Sequence, residues 1–287
     1  MGSTCSFEVF GIVRMVDQND AAAAVKLTNV TLRLGGRTVL DGLSLEIPAG
    51  KVTAIMGPSG AGKTTIMRLI TRQAIPDAGE VWVNDTRVDQ LKGRVLGRYR
   101  RNLGVLLQNG ALFTDLTCFD NVALPLREHT DLPETLIYRL VLIKLQAVGL
   151  RGAAHLYPAE LSGGMNRRVA MARAMALDPD IMLYDEPFAG LDPISLGVSL
   201  RLIREVNQVQ SITSVVITHD VDEVARLADQ CFIIAEGGLV ASGSPTELAA
   251  SDHPLVSQFM TGHPDGTVPF HYPATDISQE LLGRGDG

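Results

Sequence analysis

"KVTAIMGPSGAGKTTIMRLITRQ" occupies residues 51–73. It opens on a short unbroken apolar run, "KVTAIMG", of the kind that forms a strand buried on both faces. It closes on "KTTIMRLITRQ", which reads as a helix. Between them "GPSGAGKT", Gly57 to Thr64, fits the pattern G-x-x-x-x-G-K followed by Ser or Thr at every fixed position. Strand, glycine-rich loop and helix in that order make a phosphate cradle. The glycines let backbone N–H groups curl around an anion, and the helix aims its positive end at it. Gly57, Pro58, Ser59, Gly60, Ala61, Gly62, Lys63, Thr64 and Thr65 are therefore the expected nucleotide-contacting set. Within it Lys63 reaches the β and γ oxygens, and Thr64 is a ligand for Mg²⁺.

Two further apolar runs stop at polar chemistry: "DIMLYDE" (180–186) and "TSVVITHD" (213–220). Strands buried on both faces belong to a parallel sheet flanked by helices, where ligands bind beyond the carboxyl ends of the strands. The three endings are thus expected to converge on one site. Asp185 suits the Mg²⁺ shell through water, and Glu186 can orient or deprotonate an attacking water. His219 ends the third strand, and Gln108 follows the apolar segment "LGVLLQ", where its amide can join the Mg²⁺ and water network. The expected fold is α/β: a P-loop nucleoside-triphosphatase core sheet with an antiparallel β edge from "VKLTNVTLRL" and "LSLEIPAG". A helical subdomain, about residues 111–175, is inserted in it.

That insertion carries "LSGG", residues 161–164. Ser162 can cap a helix starting near Met165, and Gly163 and Gly164 leave its N–H groups bare for an anion. Met165, Val169, Ala172 and Ala176 space out as one buried face, with Arg167, Arg168 and Arg173 expected to be mostly solvated. Asp178–Pro179 is the expected helix end. Carried on the insertion, such a helix end can reach the γ-phosphate of a nucleotide held by a second copy, which requires a head-to-tail dimer.

Composition excludes several other roles. A net charge of −7 and a pI near 5.4 give no general attraction to nucleic acid. The basic stretch "KGRVLGRYRR" (92–101) reads as a solvated helix ahead of the Gln108 strand. Cys5, Cys118 and Cys231 show no CxxC spacing and read as reduced thiols of a cytosolic protein, with no metal cluster. No run of about 18 apolar residues occurs. Residues 1–24 read as a flexible extension rather than a signal peptide, 25–245 as the nucleotide-binding domain, and 246–287 as a C-terminal extension.

The ordered set of phosphate loop Gly57 to Thr64, Gln108, Leu161 to Met165, Ile181 to Glu186, Ala189 to Asp192 and His219 resembles the ATP-binding-cassette (ABC) ATPases. The resemblance implies ATP as substrate, Mg²⁺ held through Thr64, Gln108 and Asp185, and catalysis by Glu186 with His219 and Gln108. It also implies nucleotide contacts from Ser162, Gly163, Gly164 and Asp192. Met165 stands where the family pattern has Gln, and Leu34 near where it has an adenine-stacking aromatic residue. "IMGPSGAGKTT", "NGALFTDLTCFDNVALPLREHT", "LSGGMNRR", "DEPFAGLDPISLG" and "VPFHYPA" are similar to the ATPase subunit of Mla-type phospholipid transporters of Gram-negative bacteria. That similarity implies a homodimer, peripheral on the cytoplasmic face of the inner membrane, energising phospholipid trafficking that maintains outer-membrane lipid asymmetry. The implied partners are an integral membrane permease, a STAS-domain protein and, through the permease, an MCE-domain protein. An importer of amino acids or metals and a soluble ABC ATPase are the alternatives, and a non-hydrolysing nucleotide binder is expected to lack Glu186 or His219. Leu112, Phe113, Leu116 and Phe119 form an apolar patch expected to face a permease helix, and Phe270 and Tyr272 are expected to lie along a partner's surface.

Overall fold

The computed structural model describes residues 23–264 and 266–267; the expected N-terminal extension through residue 22 and the segment with Phe270 and Tyr272 lie outside them. In chain order the strands and α-helices begin with β1 (Ala23–Leu34), β2 (Arg37–Pro48), β3 (Val52–Met56), α1 (Lys63–Ile70), β4 (Ala78–Val83) and β5 (Thr86–Arg87). Next come α2 (Gly93–Arg101), β6 (Leu103–Leu106), α3 (Cys118–His129), α4 (Glu134–Ala147), α5 (Gly163–Ala174) and β7 (Ile181–Asp185). The chain continues through α6 (Pro193–Gln210), β8 (Thr213–Ile217), α7 (Val221–Leu227), β9 (Gln230–Ala235), β10 (Gly238–Gly243), α8 (Pro245–Ala249) and α9 (Pro254–Thr261).

Two sheets result. β2-β1-β4-β5 is antiparallel, and β10-β9-β3-β8-β7-β6 is parallel except for β10 at its edge. Strands β3 and β8 are buried at every residue, as continuous apolar runs require in the middle of a covered sheet. In β2, Leu43, Leu45 and Ile47 are buried and alternate with exposed Ser44 and Glu46, so this strand has one solvated face. β1 shifts its alternation by one residue at Asn29 (φ 48°), where the pairing with β2 is irregular.

One face of the parallel sheet, through Ile55, Leu183 and Ile217, packs with Ile66 and Ile70 of α1 and with Leu27 and Val81 of the antiparallel sheet. The other face, through Met182, Tyr184 and Val216, packs with α3, α4, α5 and α6 by way of Val122, Leu145, Val169 and Ile203. Val169 and Ala172 of α5 lie in that core, as does Ala176 just past the helix, while Met165 packs at its rim. Helix α5 stops at Ala174, short of the expected Asp178–Pro179. Backbone bonds from Ala176 to Arg173 and from Asp178 to Met175 tighten the chain, and Asp178 turns it in the left-handed region (φ 50°). The Asp178 carboxylate pairs there with buried Lys144 of α4.

Helix α2 buries no residue, yet Tyr99 and Arg100 tie it to α1. Tyr99 donates to Ile70 O (2.5 Å) and Arg100 to Thr71 O (3.1 Å) and Arg72 O (3.0 Å), satisfying carbonyls at the end of α1. Among the described residues no helix is long and apolar enough to cross a membrane.

Candidate functional site

The phosphate loop leaves β3 at Gly57 with φ 139°, and a Cβ there would fall 2.0 Å from Ile234 O of β9, so no side chain fits. Gly62 (φ 99°) starts α1, where a Cβ would meet Leu40 Cδ2 at 2.7 Å and Val39 O at 3.1 Å. Ala61 N donates to Pro58 O (3.2 Å) and closes the turn, while the amides of Ser59, Gly60 and Gly62 donate to no acceptor among the described residues. Helix α1 has neither a side-chain cap nor an acidic residue in its first turn, so its positive end is unneutralised. Lys63 Nζ folds over the loop and donates to Gly57 O (2.7 Å) and Pro58 O (2.9 Å). Burial pulls the Lys63 ammonium below its usual pKa, against the opposing pull of Glu186 and Asp185.

Asp185 ends β7, and its carboxyl is held above the usual aspartate range by burial and by Glu186; Arg68, Lys63 and a hydrogen bond from the Thr64 hydroxyl oppose this. Glu186 adopts φ 47° and donates its N–H to Ile217 O (2.8 Å), which anchors the turn to β8. Its Oε1 lies 3.0 Å from His219 Nδ1, and that hydrogen bond raises the imidazole pKa. Phosphate loop, Asp185, Glu186 and His219 thus meet at one end of the parallel sheet. Behind His219, the Thr218 hydroxyl donates to Glu223 Oε2 (3.0 Å) and accepts from Asp220 N (3.1 Å), and Asp220 Oδ1 caps α7 at Glu223 N (3.1 Å). Burial, then the charge of Asp220, pushes the Glu223 carboxyl up to about 7.

Gln108 lies exposed in the turn after β6. Ser162 caps α5, its hydroxyl accepting from Met165 N (3.3 Å), and the helix begins at Gly163, two residues before the expected start. At Gly164 a Cβ would sit 2.7 Å from Ser195 Oγ, so the first turn of α5 packs directly on the first turn of α6. Asp192 is the α6 cap, with Oδ1 accepting from Ile194 N and Ser195 N at 3.0 Å each. No hydrogen bond or ion pair among the described residues joins Ser162, Gly163 or Gly164 to Gly57–Thr65 of the same chain. Among the described residues, no group of three or more His, Cys, Asp or Glu could hold a metal ion.

The three α5 arginines correct the expectation of a solvated face, for all are half-buried. Arg167 donates to the carbonyls of Gln108, Pro187 and Ala189, Arg168 to that of Val148, and Arg173 to those of Gly110 and Ala111. Loops without a ladder of their own leave carbonyls open, and a guanidinium fork fills them. Apolar spacing reports which face meets the core and is silent about this. Glu223 and Thr218 also escaped sequence reasoning; the acids that crowd "THDVDE" were the available signal.

A phosphate loop on a parallel sheet, paired carboxylates and a histidine at adjacent strand ends, and a glycine-led helix on a helical insertion define an ABC-type nucleoside triphosphatase. Residues 40–189 match the ABC transporter family model, and the chain belongs to that family. It is similar to the intermembrane phospholipid transport system ATP-binding protein MlaF of Haemophilus influenzae, 51% identical over 258 residues that cover 90% of this chain and 98% of that one. It is also similar to the protein of the same name from Escherichia coli, 50% identical over 265 residues, covering 92% and 98% respectively. Among solved structures it resembles the dimeric post-hydrolysis state of the ATP-binding cassette MJ0796 bound to ADP and Pi, with a TM-score of 0.69, 31% identity and coverage of 77% of this chain and 98% of that one. The protein is an ATP-binding, ATP-hydrolysing subunit of an ABC transporter.

Proposed function

We propose that this chain energises phospholipid trafficking between membranes, as a homodimer bound on the cytoplasmic face of the inner membrane to an integral permease. The observation that carries the hydrolytic part is the pairing of Glu186 with His219 beside the phosphate loop. Likeness to the MlaF proteins, named for intermembrane phospholipid transport, supports the lipid part. The proposed assembly adds a STAS-domain partner and an MCE-domain protein reached through the permease.

In this reading the uncapped start of α1 and the loop amides bind the phosphates, and Lys63 exchanges its two loop carbonyls for phosphate oxygens. Glu186 orients the attacking water and takes its proton, with His219 holding the carboxylate. The Thr64 hydroxyl, the Asp185 carboxylate and the Gln108 amide would hold Mg²⁺, an oxygen set suited to a hard cation, and the Thr64 hydroxyl lies near enough to Asp185 to act on its carboxyl. When bound, the ion would neutralise phosphate charge. Ser162, Gly163 and Gly164 would meet the γ-phosphate on a second copy. The missing link to their own phosphate loop and the dimeric cassette relative support this.

A groove of about 580 Å³ between α2, β6 and α3 is a suitable dock for a permease helix. Phe113, Leu124, Pro125 and Leu103 supply its apolar wall, and Arg101 and Glu128 are among its polar lining. Phe113 is half exposed, whereas Leu112 and Phe119 pack on the subdomain core, so only part of the expected patch is open. The test is ATP-dependent transfer of labelled phospholipid by the chain reconstituted with its co-purified permease. ATPase stimulation by an amino acid or a metal ion, without lipid movement, would overturn the reading.

A further inference from the structure

Arg167 stands five residues beyond Ser162 on α5. Its Nη1 donates to Pro187 O (2.9 Å) and Ala189 O (2.8 Å), and its Nη2 to Gln108 O (2.8 Å). Each acceptor is the backbone of a loop at the nucleotide site. Gln108 is itself a site residue, Pro187 follows Glu186, and Ala189 opens the stretch that ends at Asp192. Among the described residues no carboxylate forms an ion pair with this guanidinium, although the charge of Glu223 acts on it. That matters mechanically. A carboxylate can swivel to follow a moving arginine, but a carbonyl moves only with its backbone, and the rigid planar fork fixes the directions of all three bonds.

The neighbouring arginines do less. Arg173 donates to Gly110 O (2.9 Å) and Ala111 O (2.8 Å) and, at 3.5 Å, to Asn121 Oδ1 of α3, which holds the segment after Gln108 and α3 but does not reach the loop behind Glu186. Arg168 reaches Val148 O (3.1 Å), within the helices between β6 and β7. Of the three, Arg167 alone spans from the Gln108 turn to the loop behind Glu186. It does so from the same helix whose first turn packs through Gly164 on Ser195.

We propose that Arg167 is a positioning residue for hydrolysis: it locks the Gln108 turn and the loop after Glu186 to the start of α5. The helix end offered to a second copy and the water-orienting carboxylate of its own site then move as one body. This rests on the reading of Ser162–Gly164 as the end that completes the partner's site.

The test is steady-state ATP hydrolysis by the full chain in its permease complex, with Arg167→Gln and Arg167→Lys variants. For Arg167→Gln we expect kcat to fall about tenfold or more with KM for ATP within about threefold, because the loop positioning that is lost serves the transition state and not ground-state ATP binding. Melting temperature and nucleotide affinity should stay near the parental values. Arg167→Lys, whose single ammonium cannot bridge three carbonyls in fixed directions, should be intermediate. A parental kcat in Arg167→Gln overturns the proposal, and so does a kcat that falls only in step with melting temperature and affinity. Should Arg167→Gln fail to fold, Arg167→Lys decides: a lower kcat at unchanged KM supports the proposal and a parental kcat overturns it. Ser162→Arg run in parallel separates the two claims. Parental hydrolysis there sinks the two-copy reading itself, whereas its loss beside a fully active Arg167→Gln sinks only the role of Arg167.

Discussion

Glu186 Oε1 and His219 Nδ1 lie 3.0 Å apart, across the ends of two neighbouring parallel strands, with the carboxylate largely covered and the imidazole largely exposed. The contact makes each group a reporter on the other. Glu186→Gln should leave nucleotide binding intact and slow turnover by about two orders of magnitude or more, the scale of a lost general base. The same change should lower the His219 titration midpoint, because the hydrogen bond to Glu186 is the main cause that raises it. An NMR titration of the imidazole in both proteins checks this. A midpoint that does not move would mean that His219 is raised by something other than Glu186.

The carboxyl of Glu223, lifted to about 7, makes stability depend on pH. The sign follows from linkage: between the unfolded pKa near 4.5 and the folded value near 7, the unfolded chain sheds this proton and the folded one keeps it. The group's contribution therefore declines as pH rises through that window and is constant above it. Glu223→Gln, which keeps an acceptor for the Thr218 hydroxyl and never ionises, should melt higher than the parent at pH 8 and close to it near pH 4.5. Thermal melts across that range decide the matter. An equal loss of stability at both ends would show that the carboxyl's shape, rather than its ionisation, is what counts.

Leu34 ends β1 with its side chain almost half exposed, where the family pattern led us to expect an adenine-stacking ring. A ring stack is worth about 1 kcal/mol, less than a tenfold preference. Without one, GTP should compete measurably with ATP in a hydrolysis assay. A preference for ATP above about a hundredfold would point to another aromatic side chain at the base.

Sequence patterns exposed what is repeated or chemically constrained. Gly57 and Gly62 stand out because a Cβ would strike Ile234 O or Leu40, so only one residue type serves. Strands β3, β7 and β8 stand out because a sheet covered on both faces needs unbroken apolar runs. Strand β9, equally buried along "CFIIA", runs into the Glu236–Gly237 turn that leads to β10, so its end carries hairpin residues and not site chemistry. Edge strand β10 is only half covered and has little pattern to read. The contacts of Arg167 were invisible for a different reason. Helical spacing separates core from non-core positions, but whether a polar side chain there meets water or a loop carbonyl depends on where distant loops pass.

The two-copy site can be tested by pairing two inactive chains. Lys63→Ala removes the ammonium that bridges Gly57 O and Pro58 O, and so disables the phosphate loop. Ser162→Arg removes the α5 cap and fills the helix end with a bulky cation, yet touches nothing at the phosphate loop of its own chain. A homodimer of either variant has both composite sites broken and should be nearly inert. In a mixed dimer, the intact phosphate loop of the Ser162→Arg chain faces the intact α5 start of the Lys63→Ala chain, while the second site carries both lesions. Random exchange of equal amounts makes half the dimers mixed with one working site each, so activity should recover to about a quarter of the parental rate. Were each chain to build its site alone, the mixture would stay as inert as its components. Mass spectrometry of differently tagged chains verifies that mixed dimers formed, and no recovery in their presence would refute the assignment of Ser162, Gly163 and Gly164 to a neighbour's nucleotide.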